Sequence, residues 1–324
     1  MVAAIRVHKV GGPDVLTYED VDVGAPGPGQ VRIRQHACGI NFIDTYFRTG
    51  LYPAPQMPFI PGNEAGGEVM AAGDGVTDFK PGDRVTYNIT HGGYAAERLI
   101  PAERVVKLPD GISYEQAAGM MLKGMTARYL IREVYKVEKG TTLLMHAAAG
   151  GVGLIICQWA SSIGATVIGT VGSQEKAELA KANGCHHVIL YRNEDFVARV
   201  KEITGGKQCD VVYDGVGKDT FPGSLDCLRP RGMFATFGNA SGPVPAFNPL
   251  LLQQKGSLFM TRPTLIHYTA TRKDLVDSAN DLFAAVQSGA VNIPVNQKYP
   301  LKDAAKAHQD LEGRNTTGSS ILVP

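Results

Sequence analysis

The sequence has almost no excess charge of either sign: 32 Lys and Arg against 31 Asp and Glu give a formal net charge of +1. No Lys/Arg run stands out, so nothing offers an electrostatic footprint for nucleic acid. No cysteines have C-x-x-C spacing, and the five present (Cys38, Cys157, Cys185, Cys209, Cys227) are an odd set. That argues against a disulfide framework and predicts a reduced intracellular protein, with the cytoplasm as its expected address. No apolar stretch reads as a membrane span, since the longest, around Leu143 to Ala160, is broken by His146, a glycine cluster and Gln158. The opening "MVAAIRVHKVGG" lacks the basic-then-apolar pattern of a signal peptide. Internal repeats and low-complexity segments are absent as well.

What is present fits an ordinary globular chain, 44% hydrophobic and 19% charged. At 324 residues it is long for one core, so two domains are expected. The first third is rich in strand and turn signals. "VRIRQHA" alternates apolar and polar residues after the turn-forming "GAPGPGQ". "KPGDRVTY" and "AERVVKLP" predict further short strands, together an antiparallel, barrel-like domain.

Near "SYEQAAGMMLKGMTARYLI" the rhythm changes. Ser113 and Gln116 have capping-box spacing ahead of an apolar run of helical length. Strands "TTLLMHA", "ATVIGTV", "HHVIL", "CDVVYD", "GMFATFG" and "GSLFMTR" then alternate with predicted helices. The helix over 152–163 carries Ile155, Ile156, Trp159 and Ile163 on one face and stops at Gly164. This is the pattern of an α/β protein with a doubly wound, six-stranded parallel sheet of Rossmann type. Two more helices, 274–287 and 301–311, and a last strand, "SSILV", are expected to return to the first domain. The expected boundaries are 1–124 with 264–324, and 125–263.

The stretch "LLMHAAAGGVG" joins the first of these strands to its helix. Aligned to G-x-G-x-x-G it reads Ala148-Ala149-Gly150-Gly151-Val152-Gly153. The second and third glycines, which allow backbone approach to a pyrophosphate and close helix–strand packing, are present. Alanine can replace the first if its φ is negative. A helix starting here aims its unpaired N–H groups at phosphates, so Gly150, Gly151, Val152 and Gly153 are predicted cofactor contacts.

An NAD site places a carboxylate about 20 positions after the loop. Here the second strand ends in Gly172 and Ser173, with Lys176 one turn into the next helix and Glu175 directed outward. Tyr191 ends the adjacent third strand. A hydroxyl, an ammonium and a phenol around a missing acid suit a 2′-phosphate of about −2 charge, which predicts NADPH. The carboxyl ends of the later strands add Phe237, Asn239 and Ser241 as expected cofactor contacts.

With "HAAAGGVG", "ACGINFIDTYFRTG", "PFIPGNEAGGEV", "YDGVG", "FGNASG" and "GSSILVP" spread along it, the chain resembles the medium-chain dehydrogenase/reductase superfamily. The resemblance is to its zinc-independent NADPH:quinone oxidoreductase (zeta-crystallin-like) branch. It implies a GroES-like β-rich catalytic domain beside the Rossmann domain, a homodimer, and an interdomain cleft for nicotinamide and substrate. Zinc enzymes of the superfamily hold their metal with a Cys, the His of a Gly-His-Glu triplet, and a distant Cys or Asp. Here the triplet is Gly62-Asn63-Glu64, and no cysteine lies between Cys38 and Cys157. A carboxamide is a poor zinc ligand, so no metal is expected.

By the same resemblance Asn41, Asp44 and Tyr46 lie near the nicotinamide and its ribose, and Phe259 and Arg314 line the cofactor cleft. Asn41, Tyr46 and Tyr52 are the candidate pocket donors to a quinone oxygen; Tyr52, like Asn63, has the weaker support. From the residues alone, Asn41 and Asp44 read equally as a capped helix start. The expected reaction is metal-free reduction of a small quinone by NADPH. The alternatives are reduction of an enone or enoyl-thioester, and a non-catalytic, crystallin-like role that binds NADPH.

Overall fold

The protein is described here by a computed structural model covering residues 1–54, 56–89 and 91–324. Pro55, one of the prolines around Tyr52, lies outside the described residues. The chain divides into two compact units, one of residues 1–123, 271–283 and 293–324, the other of 124–270 and 284–292.

The N-terminal unit begins with the antiparallel pair β1 (Val2–Val7) and β2 (Leu16–Val21). Next come β3 (Gln30–Ile40), helix α1 (Phe42–Thr49), β4 (Glu64–Ala72), β5 (Arg84–Asn88), β6 (Glu97–Pro101) and β7 (Val105–Lys107). Helix α2 (Tyr114–Tyr129) leads out of it. The expected capping box is present: Gln116 N–H donates to Ser113 Oγ (3.1 Å) and Ser113 N–H to Gln116 Oε1 (3.0 Å).

The second unit carries β8 (Thr142–Met145), α3 (Gly151–Ile163), β9 (Thr166–Val171), α4 (Gln174–Ala182) and β10 (His187–Leu190). It continues with α5 (Phe196–Ile203), β11 (Cys209–Asp214), α6 (Gly223–Asp226), β12 (Leu228–Thr236), α7 (Leu250–Gln254) and β13 (Phe259–Thr261). These strands form one parallel sheet in the order β10-β9-β8-β11-β12-β13. The order reverses between β8 and β11, so the crevice where such sheets take ligands opens at the end of β8. Apolar residues from both halves fill the core beneath it, among them Leu144, Ile168, Val212 and Phe234.

After α8 (Leu265–Tyr268) and α9 (Arg272–Gln287), the chain adds β14 (Val295–Pro300), α10 (Ala304–Glu312) and β15 (Ser319–Val323) to the first unit. There β15 pairs antiparallel with β3, giving the sheet order β14-β15-β3-β4-β5-β7 with β6 also on β3. Its core packs Ile33, Ile40, Val69, Tyr87 and Leu322.

Candidate active site

In the parallel-sheet unit the glycine loop follows β8 and opens α3 as its sequence predicts. The left-handed residue of the turn is Ala147 (φ +55°), while Ala148, at the first glycine position, needs no positive φ. Gly153 requires the absence of a side chain, because a Cβ there would lie 2.4 Å from the Ala147 carbonyl and 2.7 Å from that of Ala148. Gly150 is less demanding, with only the Ala147 carbonyl near, at 3.2 Å. The first N–H groups of α3, on Gly151, Val152 and Gly153, have no carbonyl within their own helix and so are available to an anion.

Under this loop lies a polar lock that sequence reading missed. His146 is buried and joins Thr170 Oγ1 through Nδ1 and Ser224 Oγ through Nε2, both at 3.0 Å. Ser224 Oγ donates to Asp214 Oδ2 at 3.1 Å. Asp214 also accepts Thr220 Oγ1 (2.6 Å) and the N–H groups of Val216 (2.7 Å) and Gly217 (3.0 Å). A serine, a histidine and an acid thus meet, but the serine lies between the other two and is fully buried. No substrate reaches it, and burial holds the imidazole below its usual pKa. The cluster pins the ends of β8, β9 and β11 to one another.

At the tip of β9, Ser173 caps α4, its Oγ accepting Lys176 N–H at 3.4 Å. Tyr191 follows β10 and brings its hydroxyl over Gly172, where a Cβ would come within 2.9 Å of it. Gly172, Ser173, Lys176 and Tyr191 therefore belong to one edge of the sheet, and the strand end itself carries Gly172 and Ser173 where an NAD site has a carboxylate. These residues fit a 2′-phosphate, whose oxygens take donors and cationic charge.

Of the other expected contacts, Ser241 lies in the loop after β12, as its sequence predicts, and Phe259 is placed differently. Ser241 Oγ donates to the Val216 carbonyl (2.9 Å) and accepts Asp219 N–H (3.0 Å), so it ties the loop after β12 to the loop after β11. Phe259 begins β13 rather than ending it, and stands 59% exposed on the sheet's edge strand. Phe237 packs against Gly215, and the bridge from Ala240 to Gly242 keeps Asn239 within the same loop.

In the N-terminal unit the candidate residues group around the start of α1. Asn41 caps that helix, and its side-chain Nδ2 donates to Glu64 Oε1 at 2.8 Å. Glu64 is fully buried and also accepts Lys123 Nζ (3.0 Å) and Leu122 N–H (2.6 Å). Asp44, expected beside the ribose, instead turns inward and is only 1% exposed. Its Oδ2 accepts Asn41 N–H (2.8 Å) and Tyr94 O–H (2.9 Å), and its Oδ1 accepts Asn63 Nδ2 (2.5 Å). Asn63, expected as a weak pocket donor, is committed to that carboxylate. Burial pushes the Asp44 carboxyl up to about 6, while its donors and Lys123 pull it back down.

Tyr46 and Tyr52 form an aromatic wall beside this network. Their rings meet edge-on at 5.2 Å, and Phe47 joins Tyr52 at 5.6 Å. Cys38 is buried with its Sγ toward the Ala95 carbonyl, and burial pushes the thiol up to about 12, so it stays a neutral packing residue. Arg314 lies past α10 in the left-handed region (φ +59°) and is exposed. Among the described residues, no three His, Cys, Asp or Glu side chains converge as metal ligands.

A β-rich unit built partly from the chain's last strand, together with a Rossmann sheet, defines a two-domain dehydrogenase. Residues 27–110 match the alcohol dehydrogenase GroES-like domain family, and 151–284 the zinc-binding dehydrogenase family. The quinone oxidoreductase of Pseudomonas aeruginosa is 51% identical over 100% of both chains. The 2-haloacrylate reductase of a Burkholderia species is 49% identical over 100% of this chain and 99% of its own length. The crystal structure of Escherichia coli quinone oxidoreductase complexed with NADPH superposes with a TM-score of 0.97. It is 50% identical and covers 99% of this chain and 100% of that one. The chain belongs to the quinone oxidoreductase family of the medium-chain dehydrogenase/reductase superfamily.

Proposed function

We propose that the protein reduces small quinones with NADPH and needs no metal. The observation that carries this reading is Asn63. Where zinc enzymes have an imidazole, this chain has an amide, already bound to Asp44 at 2.5 Å. What remains around Asn41, Tyr46 and Tyr52 is a set of neutral donors, suited to an acceptor that delocalises incoming electrons onto its own oxygen. The full-length similarity to curated quinone oxidoreductases supports the same substrate class.

When bound, NADPH supplies the hydride. The glycine loop and the start of α3 hold its pyrophosphate, and Ser173, Lys176 and Tyr191 select its 2′-phosphate. Asn41, Tyr46 and Tyr52 donate hydrogen bonds to the oxygen that gains charge, where preorganised neutral donors lower the barrier without strong acid catalysis.

A second reading, reduction of a conjugated enone, has its own observation: the relative named as a 2-haloacrylate reductase. NADPH oxidation measured with a quinone panel and a haloacrylate and enone panel, with and without chelator, separates the two. Turnover with quinones that chelator leaves intact is expected. Turnover confined to enones transfers the site to the second reading, and metal-dependent turnover overturns both.

The site of action proposed is the cytoplasm. In support, all five cysteines are free and buried, and no helix among the described residues is long and apolar enough to cross a membrane. A homodimer through β13 is proposed on the ground that this edge strand presents the exposed Phe259.

A further inference from the structure

Behind Asp44 a chain of buried hydrogen bonds runs through the N-terminal unit to helix α10. Tyr94 Oη lies 2.9 Å from Asp44 Oδ2 and 3.0 Å from His308 Nε2. His308 Nδ1 lies 3.0 Å from Arg48 Nη1, and Arg48 makes a two-pronged contact with Glu312 at 2.7 and 3.0 Å. Asp44, Arg48, Tyr94 and His308 are each at most 1% exposed, so water does not stand in for any of these partners.

The chemistry of the groups gives this chain a direction. A guanidinium keeps its protons and accepts nothing, so Arg48 donates to His308 Nδ1. The imidazole, neutral because burial and the Arg48 charge push its pKa down to about 3, then carries its proton on Nε2. That proton goes to Tyr94 Oη, which leaves the tyrosine proton directed at Asp44. With Arg48 absent, the imidazole is free to take the other tautomer, Tyr94 turns round, and Asp44 becomes the donor as a neutral acid.

We infer that Arg48, His308 and Tyr94 form a directional relay that holds Asp44 as a carboxylate, and that Asp44 in this state positions Asn41 and Asn63. The three are positioning residues, since none is offered to a ligand. The other charged groups facing Asp44 act in the same sense or at one remove. Lys123, from α2, favours the ionised form, and Glu64, from β4, reaches Asp44 only through Asn41. Glu312 closes the far end on Arg48. The relay bears on catalysis only through the proposed function, in which Asn41 faces the substrate, whereas its tautomer and charge belong to the protein alone.

Nitrogen-15 NMR of the histidine rings in the intact protein, with His308→Gln for assignment, reads the tautomer directly. A neutral Nε2–H ring at neutral pH is expected, and an Nδ1–H ring overturns the inference. Infrared spectra supply a second readout: a carboxylic-acid C=O band at neutral pH that vanishes in Asp44→Asn also overturns it. Tyr94→Phe keeps the ring and removes one donor to the charge. The acid limb of its pH profile for NADPH oxidation should move up by about one to two pH units. An unmoved limb in a folded Tyr94→Phe protein counts against the relay. If that variant fails to fold, the wild-type tautomer decides alone. Absence of quinone turnover in the wild type removes the proposed function and leaves the NMR result to judge the relay.

Discussion

In the parallel-sheet unit the groups proposed to meet a ligand at the glycine loop are backbone N–H groups. In the N-terminal unit they are side chains, held by other side chains. The loop gets its geometry from one contiguous turn, with Gly153 packed against the carbonyls of Ala147 and Ala148. Asn41 gets its geometry from a buried carboxylate on each side, Glu64 at 2.8 Å from its amide nitrogen and Asp44 at 2.8 Å from its backbone N–H. Backbone geometry is local and tolerates little change at a few positions. A charged network is spread over many positions and fails wherever one charge loses its partner.

The largest expected effect falls on the side-chain network. Lys123→Met leaves Glu64 fully buried without its cation, and breaking such a pair costs about 3–5 kcal/mol. Urea denaturation measures it, and pairing the change with Glu64→Gln should recover part of the loss. A cost below about 1 kcal/mol, the range of exposed pairs, would break the contrast drawn between the two units.

Next in size is the edge of the parallel sheet. If Lys176 holds the 2′-phosphate as proposed, Lys176→Ala should remove a charge-assisted contact worth about 1.5–3 kcal/mol, roughly ten- to a hundredfold in affinity. Titration should show weaker NADPH binding with NADH binding nearly unchanged. Equal loss for both cofactors would mean that Lys176 supports the fold and not the 2′-phosphate.

The smallest effects sharpen the account of the loop. Gly153→Ala should cost about 1–3 kcal/mol, since backbone carbonyls cannot yield to the new methyl. Gly150→Ala meets one carbonyl at 3.2 Å, and its φ of −80° suits any residue. Its thermal stability should stay within about 0.5 kcal/mol of wild type. Reversal of this order in thermal melts would show that ligand approach, not packing, sets the requirement for glycine.

The same contrast explains what the sequence discloses. The loop, the capping box at Ser113 and helix α3 are short-range patterns, and each is found where its residues predict it. The β9 tip is legible too, because Ser173 and Lys176 are near neighbours and Tyr191 ends the next strand. The strands β1, β2, β4, β6 and β14 are not among those the sequence predicts; "VNQKYP" is short, mostly polar and ends in proline. The polar networks have no linear signature at all. Tyr94 is 50 positions from Asp44 and 214 from His308, and Arg48 is 260 from His308. Only the three-dimensional pairing of α1 with α10 brings them together. The helix-start role of Asp44 is legible for its closeness to Asn41, but its inward contacts are not, since Tyr94 and Asn63 come from other segments.

The antiparallel pairing of β15 with β3 joins Ser320 to Ile40, a separation of 280 residues. During synthesis the nascent chain therefore exposes Cys38 to Ile40 as an open, apolar strand edge while nearly all of the rest is translated. Contacts so distant in sequence form late, and unpaired edges of this kind invite pairing with other chains. The parallel-sheet strands, by contrast, emerge in one continuous run. A chain ending at Ala270 has all six strands of the parallel sheet, while its N-terminal unit still lacks β14 and β15. That unfinished segment is where a holding chaperone has most to protect.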